Sequence, residues 1–258
     1  MKGGTSMRTS VLAALALALT APGLAADAPT AQARLGKGYL DPATLPDSLA
    51  LLPPPPAAGS AAEARDREAS AAGLAQRASA RWQLAARDAD LFSPAATGAF
   101  SCAAGVAIGP KTTPRLDALL RKTIPDLGLA SYAAKTRYQR TRPFVVNGEP
   151  NCTPEAGAML AKDGSYPSGH AAIGFGWGLI LAELVPARAT RLAARGREFA
   201  DSRRVCNVHW LSDIEAGEVV AAATVARLHA DGQFRKDLDA VRKELRRAPA
   251  PPAADCAA

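Results

Sequence analysis

Apolar residues along this chain recur every three or four positions, and no segment alternates apolar with polar over the length of a strand. Leu116, Leu119, Leu120 and Ile124 make one such stripe, and Phe234, Leu238, Val241 and Leu245 another. Both have the period of an amphipathic helix. Ala171–Leu181 is different, an uncharged run that would be buried on all sides of a helix. Pro167-Ser168-Gly169-His170 introduces it through a turn from Gly164, and Pro186 marks its end. The pattern further predicts one or two helices over 61–91, broken near Gly73, and a loop over 98–112. A helix follows with Thr113 as cap and Pro114 at its first position. Others run over about 127–141, stopped by Pro143, then 187–204, 209–228 and 234–246. The expected fold class is all-α, a single helical-bundle domain.

Outside that domain, over 61–248, the chain changes character. Residues 1–26 have the form of a secretory signal: Lys2 and Arg8, an apolar Val11–Thr20, and small residues before a cut at Ala25 or Ala26. The apolar run is too short to span a bilayer. Residues 27–60 read as an extended strap in which Ser48–Leu52 leads into Pro53–Pro56, a run that favours polyproline II. Residues 249–258 form a tail. Losing Lys2 and Arg8 with the signal takes the formal charge from +7 to +5. No basic block interleaved with aromatics points to nucleic acid, and the mild excess favours anionic substrates. The four cysteines, Cys102, Cys152, Cys206 and Cys256, suit disulfides in an exported chain. Turn-rich surroundings favour Cys102 with Cys152, which leaves Cys206 with Cys256.

Three clusters carry chemistry. Ser168, Gly169 and His170 fall where a loop becomes a helix N-terminus, whose free N–H groups attract anions. Lys135 and Arg142 are seven apart, two helical turns, and so are expected on one face. Two such residues are ordinarily a solvated face. Arg203 follows Ser202, and His209 stands four residues before Asp213, near enough on a helix for the carboxylate to fix the ring's tautomer and free its other nitrogen. A lone pair of that spacing is more often a surface ion pair. His229, the third histidine, reads as an ordinary surface residue. If the clusters converge, three cations repel a metal ion and suit a doubly charged oxyanion.

Lys-x6-Arg-Pro (Lys135, Arg142, Pro143), Pro-Ser-Gly-His (Pro167–His170) and Ser-Arg-x5-His-x3-Asp (Ser202, Arg203, His209, Asp213) occur in this order. The set resembles the signature of the type 2 phosphatidic acid phosphatase superfamily, which also includes vanadium haloperoxidases and membrane lipid phosphatases. Lys135–Phe144, Gly164–His170 and the strap Ser48–Pro56 resemble the bacterial class A non-specific acid phosphatases, with similarity over about 39–246. Ala171 departs from the threonine usual there. The resemblance implies a broad phosphomonoesterase, possessing some phosphotransferase activity, that needs no metal or other cofactor. It implies His209 as nucleophile, Asp213 as its orienter and His170 as acid and then base. Lys135, Arg142, Ser168, Gly169 and Arg203 would hold the phosphate. It also suggests a homo-oligomer and, with the signal, a periplasmic location. Haloperoxidase chemistry is disfavoured by the modest size and the strap. A non-catalytic phosphate binder would leave the His209–Asp213 pair without a purpose.

Overall fold

The computed structural model describes Met1, Gly3 and residues 35–256, so the expected signal lies almost wholly outside the described residues. These residues form helices and loops, with no strand among them. The principal helices are α1 (Ala61–Leu74), α2 (Ala80–Asp88), α3 (Pro114–Lys122), α4 (Ile124–Leu129), α5 (Tyr132–Tyr138), α6 (Pro143–Asn147), α7 (Gly169–Leu184), α8 (Ala189–Val205), α9 (Leu211–Leu228) and α10 (Gly232–Leu245). None is long and apolar enough to cross a membrane.

The uncharged run forms α7, the centre of the bundle, with α8 and α9 against it and α4 on a further side. Ala171, Ala172, Trp177, Ile180 and Leu181 are fully buried, as an element apolar all round requires. Close approach is possible because α7 is notched. A methyl group on Gly174 would stand 2.1 Å from the Phe199 ring of α8. That ring joins Phe100 and Trp177 in an aromatic cluster at the core. On the other side, a Cβ on Gly217 of α9 would lie 2.5 Å from the Ser168 carbonyl at the start of α7.

Several boundaries differ from the sequence expectation. The break over 61–91 lies at 75–79, where Ala78 has a φ of 66°. The expected loop over 98–112 contains helical turns at Ala96–Phe100 and Ser101–Ala104. Thr113 stands at the start of α3 without capping it. Its hydroxyl accepts from Gly109 N–H and donates to the Ala107 carbonyl, and the Glu244 carboxylate of α10 takes the Arg115 and Leu116 N–H groups instead. A distant carboxylate accepts from the orphan N–H donors that a local hydroxyl was expected to cap.

The segment before α1 is only partly extended, with a short helix at Ser48–Leu51. Leu40 and Leu52 are buried in the main core, with Tyr39 and Leu45 packed against it, and polar contacts fasten the segment further. Asp126 accepts the N–H groups of Tyr39 and Leu40, Ser48 Oγ accepts from Ala134, and Tyr166 donates to the Pro53 carbonyl. The disulfide pairing is also corrected: Cys102 is joined to Cys256 and Cys152 to Cys206, with Cα separations of 5.4 and 4.9 Å. Turn-rich sequence indicates exposure, whereas a disulfide requires proximity. Ala107 N–H holds the Pro249 carbonyl and leads the tail back to Cys102, while Cys152 N–H bonds the Cys206 carbonyl beside the second bridge.

Candidate active site

The three sequence clusters converge on one cavity of about 270 Å³ between the start of α7, the end of α8 and the loops flanking α5 and α6. Lys135, Arg142, Gly169, His170, Arg203 and His209 all line it. Lys135, Arg142, Arg203 and His209 are each 5% exposed or less, so they form its floor.

Lys135 and Arg142 reach it by a route the spacing did not predict. Gln139, with a φ of 42°, ends α5, and Arg142 is extended just before Pro143. They therefore do not share a helical face. They meet because both turn toward one loop: Lys135 Nζ donates to the Gly164 carbonyl at 2.6 Å, and Arg142 Nε donates to the carbonyls of Leu160 and Asp163. Asp163 Oδ2 pairs with both, at 3.7 Å from Lys135 and 3.2 Å from Arg142.

His209 precedes α9, which begins at Leu211 and not at 209 as expected. Its Nδ1 lies 3.3 Å from Asp213 Oδ2, an oxygen that also accepts the Trp210 N–H at 2.8 Å. Its Nε2 accepts from Arg142 Nη1 at 2.9 Å. The proton therefore belongs on Nδ1, and the Nε2 lone pair faces the cations. Asp213 is held in turn by Arg140, whose guanidinium bridges Asp213 Oδ1 and Asp66 Oδ2, each at 2.7 Å. Asp66 also binds Ser212 through its N–H and hydroxyl.

His170, in the first turn of α7, is fixed differently. Its Nε2–H donates to the Asp88 carbonyl at 2.7 Å, and its ring stacks on Phe199 at 5.3 Å with planes 10° apart. A neutral His170 thus keeps its proton on Nε2, and a second proton would go to Nδ1. The Asp88 carboxylate is gripped by Arg195 through both oxygens and accepts from Ser202. Ser202 of the sequence motif therefore serves this buried network. Ser168 Oγ accepts the Ala171 N–H as helix cap, its N–H donates to the Asp213 carbonyl, and its side chain does not line the cavity. Gly169 does.

The electrostatics are those of cations crowded out of water. Burial, and then the neighbouring Arg142, lower the Lys135 ammonium to about 8, and the same two causes lower Arg203 to about 9. Burial pushes both histidines well below the ordinary imidazole value, helped by Arg203 at His170 and by Arg142, Lys135 and Arg203 at His209. Burial raises the Asp213 carboxyl, and Arg140 opposes that rise. Arg203 Nε is buried with no hydrogen-bond partner among the described residues. A dianion in this cavity would lift the penalty on every cation at once and supply that missing acceptor.

Sequence reasoning missed Arg140, Asp66, Asp88 and Asp163. Arg140 lies within the Lys135–Arg142 segment, but nothing in its spacing announces a bridge to a carboxylate 73 residues away. Asp88 acts on His170 through its backbone, which leaves no signal in residue type.

The PAP2 superfamily model matches residues 124–237, which contain all three clusters. The chain is 44% identical over 195 residues to a non-specific acid phosphatase of Salmonella typhimurium, covering 75% of this chain and 78% of the relative. It is 41% identical over 208 residues to a non-specific acid phosphatase of Providencia stuartii (80% and 84%) and 40% identical over 206 residues to an acid phosphatase of Zymomonas mobilis (78% and 76%). With the three clusters assembled around one cation-lined cavity and this identity extending over most of the chain, the protein belongs to the non-specific acid phosphatases of the PAP2 superfamily.

Proposed function

We propose that this enzyme hydrolyses a broad range of phosphomonoesters through a phosphohistidine on His209. The phosphoryl group sits among Lys135, Arg142, Arg203 and the N–H groups at the start of α7. His209 Nε2 attacks phosphorus, the N–P bond forms, and the P–O bond to the alcohol breaks. His170 gives its Nδ1 proton to the departing oxygen, so the products are a neutral alcohol and a phosphoenzyme. His170 then takes a proton from water as its oxygen attacks phosphorus, releasing inorganic phosphate and restoring His209. An alcohol in place of that water gives phosphotransfer. The cations stabilise the negative charge on the phosphoryl oxygens that a metal ion neutralises in other phosphoryl-transfer sites.

The observation that best supports this reading is the division of ring nitrogens. His209 has Nδ1 toward Asp213 and Nε2 toward Arg142, whereas His170 has Nε2 committed to a carbonyl. One ring is set to attack and the other to carry a proton. Because burial and Arg203 disfavour imidazolium at His170, that proton arrives with the substrate, either as a phosphate monoanion or by uptake against the bound dianion. Activity is therefore expected at acidic to near-neutral pH and to decline as the pH rises.

The test is hydrolysis of an aryl phosphate with and without EDTA, combined with acid-quench trapping of a phosphoenzyme. Turnover undiminished by EDTA and an acid-labile adduct absent from His209→Ala are expected. Active enzyme that yields no adduct under any quench would contradict the covalent step. We also propose export to the periplasm. The 1–26 pattern supports it, and so do two disulfides, which suit an oxidising compartment. Sequencing the N-terminus of the mature protein would locate the cut.

A further inference from the structure

The floor of the cavity is cationic, but its wall and opening are lined by a different kind of residue. Leu35, Leu91, Phe92, Met159 and Ile173 line it together with the charged groups. Leu91 and Ile173 are buried, whereas Phe92 is 63% and Met159 54% exposed. Large apolar side chains that far in water usually lie scattered, and these two converge on one cavity.

Their location relative to His170 gives the opening a direction. In-line displacement puts the departing oxygen opposite His209, on the side of the proton donor. His170 hangs from the Asp88 carbonyl, three residues before Leu91 and four before Phe92. Ile173 follows His170 by three positions on α7, so it stands on the same face of that helix. The group attached to the departing oxygen must therefore leave past Leu91, Phe92 and Ile173.

We infer that this rim is a leaving-group subsite which selects phosphomonoesters of apolar alcohols, alkyl or aryl, over those of polyhydroxylated ones. Phe92, on the His170 side, is its principal specificity-determining residue, and Met159, next to the Leu160 carbonyl that holds Arg142, is the second exposed apolar residue of the lining. The inference rests on the phosphatase reading above. A flexible thioether and an exposed ring can close over a chain of methylene groups and bury both surfaces. They offer little to a sugar or glycerol hydroxyl that must shed water to enter.

The test compares n-hexyl phosphate with glycerol 3-phosphate, two primary alcohol esters of similar intrinsic reactivity. It uses the full-length enzyme and the double variant Phe92→Ser/Met159→Ser, whose exposed sites put folding at little risk. The wild type is expected to favour hexyl phosphate by about tenfold or more in kcat/KM, the scale set by a few methylene groups in an apolar pocket. The double variant should lose most of that ratio, chiefly through the hexyl ester. A wild-type ratio near one, or a ratio unchanged in the variant, would overturn the inference. Binding of n-hexylphosphonate against methylphosphonate, measured calorimetrically, needs no turnover. If neither ester is hydrolysed, the phosphatase reading fails, while a hexyl preference that disappears in the double variant still upholds the subsite and equal binding rejects it.

Discussion

The two histidines stand across one cavity and are held by opposite means. His209 is set among full charges: Asp213 on one nitrogen, Arg142 on the other, and Arg140 and Asp66 behind. His170 rests on a phenylalanine ring and a single carbonyl; the ion pair behind that carbonyl, Asp88 with Arg195, acts one step removed, and Arg203 reaches the ring only through space. A nucleophile must keep one tautomer throughout, and a charged partner on each nitrogen enforces that. An acid–base group must instead gain and lose a proton, and holding His170 through Nε2 leaves Nδ1 as the atom that takes it up and gives it back. The difference in surroundings thus follows the proposed difference in task.

The sharpest way to break this comparison is to remove each ring. His209→Ala should lower kcat by at least about 10⁴-fold with any monoester, because no other group is placed to attack. His170→Ala should lose about 10²–10⁴-fold with alkyl esters and distinctly less with p-nitrophenyl phosphate in single-turnover release, since that alcohol departs without a proton. Equal losses for both ester types would erase the distinction.

Smaller effects separate the supporting shells. Arg140→Gln leaves Asp213 and Asp66 buried beside each other without their bridge. It should reduce kcat by about tenfold to a hundredfold, the range seen when an outer-shell partner of a ligating histidine is removed, with Arg140→Lys recovering part of it. Asp88→Asn should instead destabilise the fold by about 3 kcal/mol, because Arg195 keeps a buried charge without its carboxylate. Its Asp88 carbonyl remains, so kcat should fall less than in Arg140→Gln. Urea titration and steady-state kinetics on the same preparations check both.

The gentlest test is pH. Both histidines have folded values depressed below 6.5, so the unfolded chain binds more protons as pH falls through that value. Stability should accordingly drop between pH 7 and 5. The melting temperature should fall over that interval by less when saturating inorganic phosphate is present, because the bound anion favours imidazolium. His209→Asn should flatten part of the slope, as read by calorimetry.

Much of this was legible in the sequence where the signal is local. The uncharged run reads as a buried helix, and Ser168 was placed at its start by the turn chemistry before it and the uncharged run after it. The three motifs named most of the cavity floor. The supporting carboxylates were not legible, because Asp66, Asp88 and Asp163 look like any surface aspartate until the fold brings Arg140, Arg195 and Lys135 to them. The Lys135–Arg142 spacing picked out two residues that do meet in the cavity, but for a wrong reason: one residue in the left-handed region, Gln139, replaced the expected helix by an extended approach. The cysteines failed similarly, since pairing is a matter of three-dimensional proximity.

That pairing has a practical consequence. The Cys152–Cys206 bridge is nested inside the span closed by Cys102–Cys256, and the outer span contains every floor residue from Lys135 to Asp213. A protease that nicks one exposed loop between Cys102 and Cys256 releases no fragment: the two pieces remain one covalent molecule, and His170 and His209 stay tied to the same frame. For an enzyme proposed to work outside the cytoplasm, clipping need not mean inactivation.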